Sequence, residues 1–336
     1  MTLRIVACLT LLLLLDLPLY AATPEARQRQ IERFVQEMVS THHFEHDALS
    51  ALLGKAHFKQ SIIDAMNRPA EAKPWYEYRP IFLTRERIDG GVRYWRRHRD
   101  LLQAAEKRYG VPPQIVVAII GVESRYGNHT GKFHVLEALS TLAFGYPKRA
   151  DFFRNELAEF LLLAREEKID PATTKGSYAG AMGKPQFIAS SYRQYAVDFD
   201  GDHKRDLWNS DADVIASVAN YFKRHGWTAG DLIATRARYV TRAHRKFIEA
   251  GMKPSIPVKV LRRSGIRPVG RVAPNTLASL IELEQKNGRH EYWLGLPNFY
   301  TITRYNHSNL YAMAVYQLSE EIKARKEKQE KGVVTK

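Results

Sequence analysis

Glu123 stands at the end of a strongly apolar segment, and a carboxylate in such a place can act as an acid or a base. Pro112 and Pro113 predict the start of a helix. The residues from Ile115 to Val122 are almost all apolar, so we expect the helix they form to be buried on nearly every face. Glu123 is the one charged side chain of this helix.

The residues after Glu123 predict where the helix ends. Gly127 follows four positions later, and a glycine can adopt the left-handed backbone conformation that closes a helix. A carboxylate held there is partly shielded from water, which raises its proton affinity towards the range of a general acid near neutral pH. The alternative is a structural glutamate that reaches from the end of a core helix to solvent.

A second segment, 176–187, combines glycines with a polar and an aromatic side chain. Gly176, Gly180 and Gly183 fall within eight positions, which suits a backbone that lies close to a ligand. Gln186 could bind an amide, and Phe187 beside it could contact the face of a sugar. An ordinary glycine-rich turn between helices is the alternative.

The two segments together resemble the lysozyme-like lytic transglycosylases, in which Glu-Ser-x-x-Gly is followed downstream by Gly-x-Met-Gly-x-x-Gln-Phe. Two longer runs, 117–127 and 217–227, are similar specifically to the membrane-bound lytic murein transglycosylase B family. The similarity spans about residues 25 to 320 and is far more specific than a short pattern.

The resemblance implies an enzyme that cleaves the β-1,4 bond between N-acetylmuramic acid and N-acetylglucosamine in peptidoglycan without a catalytic cofactor. Glu123 would protonate the leaving oxygen while the muramoyl acetamide stabilises the anomeric centre. Glu123 would then accept the proton of the C6 hydroxyl as a 1,6-anhydro ring closes. The implied substrate contacts are Ser124 and Gln186 at the acetamide, Tyr78, Tyr221, Tyr300, Tyr305 and Phe187 along the saccharide, and Arg149 at a peptide or lactyl carboxylate.

An acidic segment, 198–206, spaces carboxylates at alternate positions, as oxygen ligands are spaced in an EF-hand loop. It departs from that loop because Gly201 is at position four and Asn209 is at position twelve. The resemblance implies a structural Ca²⁺ site, with Na⁺ as the other candidate ion and Asp211 as the other candidate last ligand. The implied ligands are Asp198, Asp200, Asp202, Lys204 and Asp213. The alternative is a solvated acidic turn in which Asp211 or Asp213 caps a helix over 214–225.

The charge of the chain indicates an anionic partner. Lys and Arg number 51 against 36 Asp and Glu, a formal net charge of +15. Nucleic acid, anionic lipid and cell-wall polymer satisfy this charge equally well. We expect peptidoglycan strands as the partner of a monomeric enzyme, with wall-synthesis proteins as further possible partners. We expect no nucleic acid as partner, because the N-terminal pattern predicts export.

That signal is the N-terminal segment 1–21. Arg4 precedes an apolar run that ends at Leu15, and Ala21 offers a small residue at the cleavage position, so we expect a secretory signal peptide and a periplasmic protein. The run is shorter than the ~20 apolar residues of a membrane span. Cys8 is the single cysteine, and the apolar run continues past it, which argues against a lipid anchor there.

The remaining patterns predict an α+β, mainly α protein: a lysozyme-like helical core with an additional helical N-terminal region and a small β subdomain. Asn287-Gly288 predicts a hairpin, and Ser308 predicts the cap of the last helix. The aromatic stretch 75–80 is interpreted as extended, either packed between subdomains or stacked on sugar. The predicted segments are N-terminal helices over 22–80, a catalytic core over 81–227 containing the acidic loop 198–213, a small α/β subdomain over 228–297, a cleft segment and C-terminal helix over 298–322, and a charged, frayed tail over 323–336.

Two other function classes stay open. A hydrolytic muramidase would use the same fold with a second Asp or Glu to activate water. A non-catalytic wall-binding protein would need only the basic surface and an aromatic cleft. A zinc peptidase or a serine esterase lacks its minimum motif here, because the chain has neither His-Glu-x-x-His nor Gly-x-Ser-x-Gly.

Overall fold

The structure, a computed structural model, describes residues 23–68, 73–238 and 244–334, with no side chains described for 332–334. The predicted signal peptide lies outside the described residues. The helices are α1 Pro24–His42, α2 His46–Gly54, α3 Gln60–Met66, α4 Trp75–Phe82, α5 Arg85–Arg97, α6 Arg99–Tyr109, α7 Pro113–Ser124, α8 Val135–Gly145, α9 Ala150–Glu167, α10 Ala189–Tyr195, α11 Asp211–Arg224, α12 Arg245–Ile248, α13 Val258–Arg263, α14 Pro297–Tyr305 and α15 Asn309–Val334. The strands are β1 Phe133–His134, β2 Lys175–Gly176, β3 Ala234–Arg238, β4 Ile256–Pro257, β5 Arg267–Pro268, β6 Leu277–Glu284 and β7 His290–Gly295.

The protein is mainly helical, and α7 lies at the centre of the helical part. Every residue from Ile115 to Val122 is buried, as the sequence predicts. Helices α5, α6, α11 and α15 all pack against α7. A helix that is apolar on all sides is stable only when neighbours cover each face, and here four helices do so. The end of α7 is therefore held firmly in place.

A five-stranded antiparallel sheet forms the small β subdomain, in the order β4-β6-β7-β3-β5. Strands β6 and β7 pair from Ser279 opposite Gly295 to Glu284 opposite His290, so the predicted hairpin at Asn287-Gly288 is confirmed. A second small core of apolar side chains lies against this sheet, including Val258, Leu261 and Leu280. The sheet thus has its own core beside that of the helices.

Two local predictions were wrong, and one segment without a predicted conformation proved to be helical. The aromatic stretch 75–80 lies within helix α4, because Pro80 follows the first turn and removes only one backbone hydrogen bond from a short helix. The segment 298–306 is largely helix α14, with Pro297 at its first position. The segment from Lys323, predicted to be a frayed tail, instead continues helix α15 up to Val334. Ile322, the residue just before this segment, is buried.

Two predictions about helix ends had mixed outcomes. Ser308 accepts the backbone N–H of Tyr311 and caps α15, as predicted. Helix α11 begins at Asp211, three residues earlier than the alternative assumed, and its cap is Ser210, which accepts the N–H of Asp213. Within the described residues, no helix combines the length and apolar character needed to cross a membrane.

Candidate active site and acidic loop

Helix α7 presents Glu123 at its last turn and then stops in an unusual backbone conformation. We expected Gly127 to close the helix, but Arg125 (φ 49°) already takes the left-handed conformation, followed by Tyr126 (φ 63°) and Gly127 (φ 93°). Left-handed residues other than glycine are uncommon and cluster at functional sites. The turn is held because Ser124 Oγ accepts the N–H of Gly127 at 3.0 Å.

Tyr126 anchors the same turn to the helical core. Its hydroxyl donates to the carbonyl of Arg87 at 2.7 Å, and its ring occupies the space above Gly121, where an added Cβ would approach the hydroxyl to 2.5 Å. Burial raises the pKa of Tyr126. The position of Glu123 is thus set both by α7 and by the packing of the turn that follows it.

Tyr311 of α15 donates a hydrogen bond from its hydroxyl to Glu123 Oε1. Tyr311 is buried, whereas Glu123 is half-buried. Burial is the main cause that raises the pKa of Tyr311, and the charge of Glu123 adds to it. The phenol therefore remains protonated and can act as a donor to Glu123. The sequence analysis missed Tyr311, although its place among the inward-facing residues of α15 was a usable signal.

The glycine-rich segment forms a tight loop that carries Gln186. Gly183 (φ 68°) is required there, because an added Cβ would lie 2.5 Å from the carbonyl oxygen of Leu207. Gln186 itself has a left-handed backbone (φ 52°). Its amide nitrogen donates to the carbonyls of Thr130 at 3.0 Å and Gly183 at 2.9 Å, so the side chain is fixed with its oxygen available to a donor.

Glu123 and Gln186 open into one cleft of about 600 Å³. The structure thereby brings together residues that the sequence placed in separate segments. The side chains that line it are Glu123, Arg149, Phe152, Gln186, Phe187, Ile188, Ser191, Tyr221, Arg304, Tyr305, Asn306 and His307.

One wall of the cleft is a cluster of aromatic rings. The ring centre of Phe187 lies 5.6 Å from that of Tyr221 and 5.7 Å from that of Tyr305, and the ring centres of the two tyrosines are 4.8 Å apart. Both tyrosine hydroxyls donate hydrogen bonds to backbone carbonyls, that of Tyr221 to Arg304 and that of Tyr305 to Pro185. Phe187 and Tyr221 are buried and Tyr305 is half-buried, so this wall presents ring edges to the cleft more than free hydroxyls.

Three predicted contacts lie elsewhere. Ser124 is fully buried behind Glu123, where its hydroxyl supports the turn and donates to the carbonyl of Ile120, so it cannot reach an acetamide in this conformation. Tyr78 is also buried, between Trp75 and Phe82, and lies near enough to Tyr311 to affect its pKa. Tyr300 does not line the cleft directly.

Two arginines give the cleft its positive charge. The guanidinium of Arg149 lies 4.2 Å from the centre of the Phe152 ring. That of Arg304 lies 4.2 Å from the centre of the Tyr300 ring, so Tyr300 supports Arg304 from outside the lining of the cleft. Arginine stacked on an aromatic face is held in one orientation. The sequence analysis predicted Arg149 but missed Arg304.

The acidic loop brings three carboxylates together at the protein surface. Asp198, Asp200 and Asp202 each offer an oxygen within 4.8 Å of the others. Asp198 accepts the backbone N–H groups of Gly201 and His203, which curls the chain around the group. An all-oxygen set of this kind suits Ca²⁺. The oxygen donors of these three residues fit the predicted metal.

Asp213 lies beneath the acidic loop, and its role as the last metal ligand stays a prediction. It is fully buried, and its carboxylate accepts the N–H groups of Phe199 and Asp206, both at 2.8 Å. Burial raises its pKa, with Asp200 and Asp198 adding to the effect. Both oxygens are thus occupied by the backbone at the two ends of the loop. In this conformation Asp213 braces the loop from beneath and lies outside the group formed by the three carboxylates.

Comparison with known proteins identifies close relatives over most of the chain. The model of the family described as transglycosylase SLT domain matches residues 26–320. The membrane-bound lytic murein transglycosylase B of Escherichia coli (strain K12) is 44% identical over 313 residues, 90% of this chain and 84% of the relative.

Solved structures agree with this result. The soluble lytic transglycosylase SltB1 from Pseudomonas aeruginosa has a TM-score of 0.83 at 49% identity, over 88% of this chain and 99% of that one. The Escherichia coli lytic transglycosylase SLT35 in complex with calcium has a TM-score of 0.81 at 44% identity, over 90% of this chain and 94% of that one.

Proposed function

This chain belongs to the transglycosylase SLT domain family and is a peptidoglycan lytic transglycosylase, and we propose that Glu123 carries its reaction. The observation that supports this assignment is the chemistry of the cleft. Among the described side chains that line it, Glu123 is the one carboxylate. A hydrolase of the usual kind places a second carboxylate across the scissile bond to activate water or to attack the sugar.

In the proposed reaction one group transfers the proton twice. Protonated Glu123 donates to the glycosidic oxygen as the bond from that oxygen to the anomeric carbon breaks, and the oxygen of the muramoyl acetamide stabilises the carbon. Glu123, now ionised, accepts the proton of the C6 hydroxyl while that oxygen bonds to the anomeric carbon. The products are a free N-acetylglucosamine hydroxyl and a 1,6-anhydromuramoyl end, and no water is consumed.

Tyr311 and Gln186 are proposed to support these steps. The Tyr311 hydroxyl donates to Glu123 Oε1, which stabilises the ionised carboxylate after the first proton transfer. The carbonyl oxygen of Gln186 is proposed to accept from the acetamide N–H, because its amide nitrogen is already committed to two backbone carbonyls. Phe187, Tyr221 and Tyr305 would contact the saccharide, and Arg149 would pair with a peptide or lactyl carboxylate.

The acidic loop is proposed to hold a structural Ca²⁺. Asp198, Asp200 and Asp202 would supply carboxylate oxygens and Lys204 its backbone carbonyl, with the rest of the shell from water or from a shift of Asp213. The ion would offset the mutual repulsion of the carboxylates, and no step of the reaction passes through it. The relative SLT35 was solved in complex with calcium.

Export to the periplasm follows as a proposal from the N-terminal pattern and from the substrate. Glycan strands of peptidoglycan are the proposed partner, and nucleic acid is not. We propose a monomer that acts after removal of residues 1–21. A lipid anchor at Cys8 is not part of this proposal.

The mechanism is tested by digestion of purified sacculi in ¹⁸O-labelled water, followed by mass spectrometry of the products. We expect every new muramic acid end to be a 1,6-anhydro end without label that resists reduction by borohydride. Digestion of the same sacculi with a hydrolytic muramidase provides the labelled, reducible control. Full ¹⁸O incorporation by this protein would instead identify it as a hydrolase.

A further inference from the structure

Arg304 is a cation in the cleft that has no acidic partner. No carboxylate of the described residues lies within ion-pair distance of its guanidinium, although ion pairs occur at many other positions of this structure. Its one hydrogen bond within the described chain runs from Nη2 to Thr303 Oγ1, at 3.2 Å. Its Nε is buried and has no partner there. Because Nε is enclosed by the protein, an anion in the cleft would be bound through the terminal nitrogens of the guanidinium.

The guanidinium is also fixed in advance. It lies on the Tyr300 ring with 4.2 Å to the ring centre, and its Nη2 donates to Thr303 Oγ1. The backbone of Arg304 is held as well, because its carbonyl accepts the hydroxyl of Tyr221 at 2.6 Å. Ring, hydrogen bond and partial burial remove much of the freedom and hydration that an exposed arginine would lose on binding. A preorganised, partly desolvated guanidinium binds a carboxylate more strongly than a flexible one does.

The surrounding groups do not cancel this charge. Burial lowers the pKa values of His225 and His307, and the charge of Arg304 contributes to both shifts. His225 belongs to the aromatic wall, with its ring 4.0 Å from that of Tyr221. The end of α14 therefore carries a positive group of the cleft that is separate in sequence from Arg149.

We propose that Arg304 is a substrate-binding residue that recognises a carboxylate carried on the lactyl arm of the muramoyl residue. Two sources share this chemistry: the free lactyl carboxylate of a strand without peptide, and a carboxylate of an attached stem peptide. Recognition through Arg304 would place the muramoyl ring beside Glu123 and exclude glycans that lack an acidic arm. This role rests on the proposed function, because it assigns the ligand of the same cleft.

The experiment measures binding in the Glu123→Gln background, so that the ligands are not cleaved. Isothermal titration compares this protein with Glu123→Gln/Arg304→Gln. Four ligands are used: the N-acetylglucosaminyl-N-acetylmuramic acid disaccharide, its stem-peptide form, and both molecules with their carboxylates converted to amides. We expect Arg304→Gln to weaken binding of one acidic ligand about 10- to 100-fold, the range of a charged hydrogen bond. The affinity for the matching amide should change by no more than about threefold. The acidic ligand whose affinity falls shows which carboxylate, lactyl or peptide, Arg304 recognises.

Two control variants separate this role from others. Arg154→Gln removes the same charge from an exposed ion pair with Asp151 outside the cleft and should not alter binding. Arg304→Lys keeps the charge without the planar fork, and its affinity for the acidic ligand should lie between those of the parent and Arg304→Gln. This variant still tests the role of Arg304 if Arg304→Gln does not fold. An equal loss for acid and amide, or no loss at all, would refute carboxylate recognition. Failure of the proposed function is seen separately, as absence of anhydro ends from the unmodified protein.

Discussion

The end of α7 and the acidic loop both present carboxylates on turns with left-handed residues, yet they are built for opposite tasks. Glu123 is half-buried, with the buried phenol of Tyr311 as hydrogen-bond donor. In the loop, Asp200 and Asp202 are exposed and Asp198 is half-buried, and all three lie together. One region isolates a single carboxylate from other negative charges, whereas the other concentrates three of them.

The difference shows how solvent and neighbours decide what a carboxylate can do. A second ionised acid near Glu123 would be strongly unfavourable in a partly dry cleft, so this site suits a group that gains and loses one proton. In the loop, water and backbone N–H donors offset the repulsion, as with Lys204, whose N–H donates to Asp202. A concentration of oxygen ligands that keep their charge suits a cation.

The two regions are joined through Lys184 of the glycine-rich loop. Its ammonium lies 2.7 Å from the carboxylate of Asp211, the first residue of α11, and its backbone N–H donates to the carbonyl of Leu207. Its side-chain carbons lie directly against Gly127 of the catalytic turn. Lys184 thus contacts both the chain that follows the acidic carboxylates and the turn that follows Glu123.

The largest expected effect comes from removal of the isolated carboxylate. Glu123→Gln keeps size and polarity but cannot deliver or accept a proton, and loss of general acid catalysis alone typically costs about 10²- to 10⁴-fold. We expect at least that loss in turbidity clearance of sacculi, with unchanged circular dichroism and retained sacculus binding. Glu37→Gln, at an exposed position of α1, is the matched control. Activity within a few fold of the unmodified protein would remove Glu123 from the mechanism.

A smaller effect, on stability, is expected when Ca²⁺ binds to the acidic loop. A ligand that binds only the native state stabilises it by ~2.7 kcal/mol at 100 times its dissociation constant. Excess Ca²⁺ should therefore raise the melting temperature of chelator-treated protein, and Asp200→Asn/Asp202→Asn should abolish the rise. Asp100→Asn, at an exposed position of α6, should retain it. No heat of Ca²⁺ binding and no shift in melting temperature would favour the solvated acidic turn instead.

The smallest effect is expected from Tyr311→Phe, which removes the hydrogen bond to Glu123 and leaves the ring. A hydrogen bond to a charged group contributes ~1.5–3 kcal/mol, and its loss makes Glu123 harder to ionise. We expect about a tenfold lower kcat and a basic limb of the pH–rate profile that moves to higher pH. Tyr316→Phe on the same helix, whose hydroxyl lies 3.5 Å from the carbonyl of Ala234, should leave the profile in place. An unchanged pH–rate profile in Tyr311→Phe would show that the phenol does not influence proton transfer by Glu123.

Patterns within one segment were predicted well. The apolar helix that ends in Glu123, the hairpin at Asn287-Gly288 and the cap at Ser308 depend on neighbours in sequence, and the structure has all three. The aromatic stretch at 75–80 was mistaken for extended chain because Pro80 is tolerated early in a short helix. Family motifs placed Gln186, Phe187, Tyr221 and Tyr305 in segments that the structure brings to one cleft.

The sequence by itself determined the segment and chemistry of the proposed acid, because an apolar helix must be buried and a charged residue at its end must lie at the edge of the core. Tertiary structure alone decided which groups surround it. Tyr311 follows Glu123 by 188 positions and meets it only because α15 packs on α7. Packing likewise buried Ser124 and Tyr78 and placed Arg304 in the cleft. Contacts between distant segments depend on how helix faces pack together, and the local sequence pattern does not determine that packing.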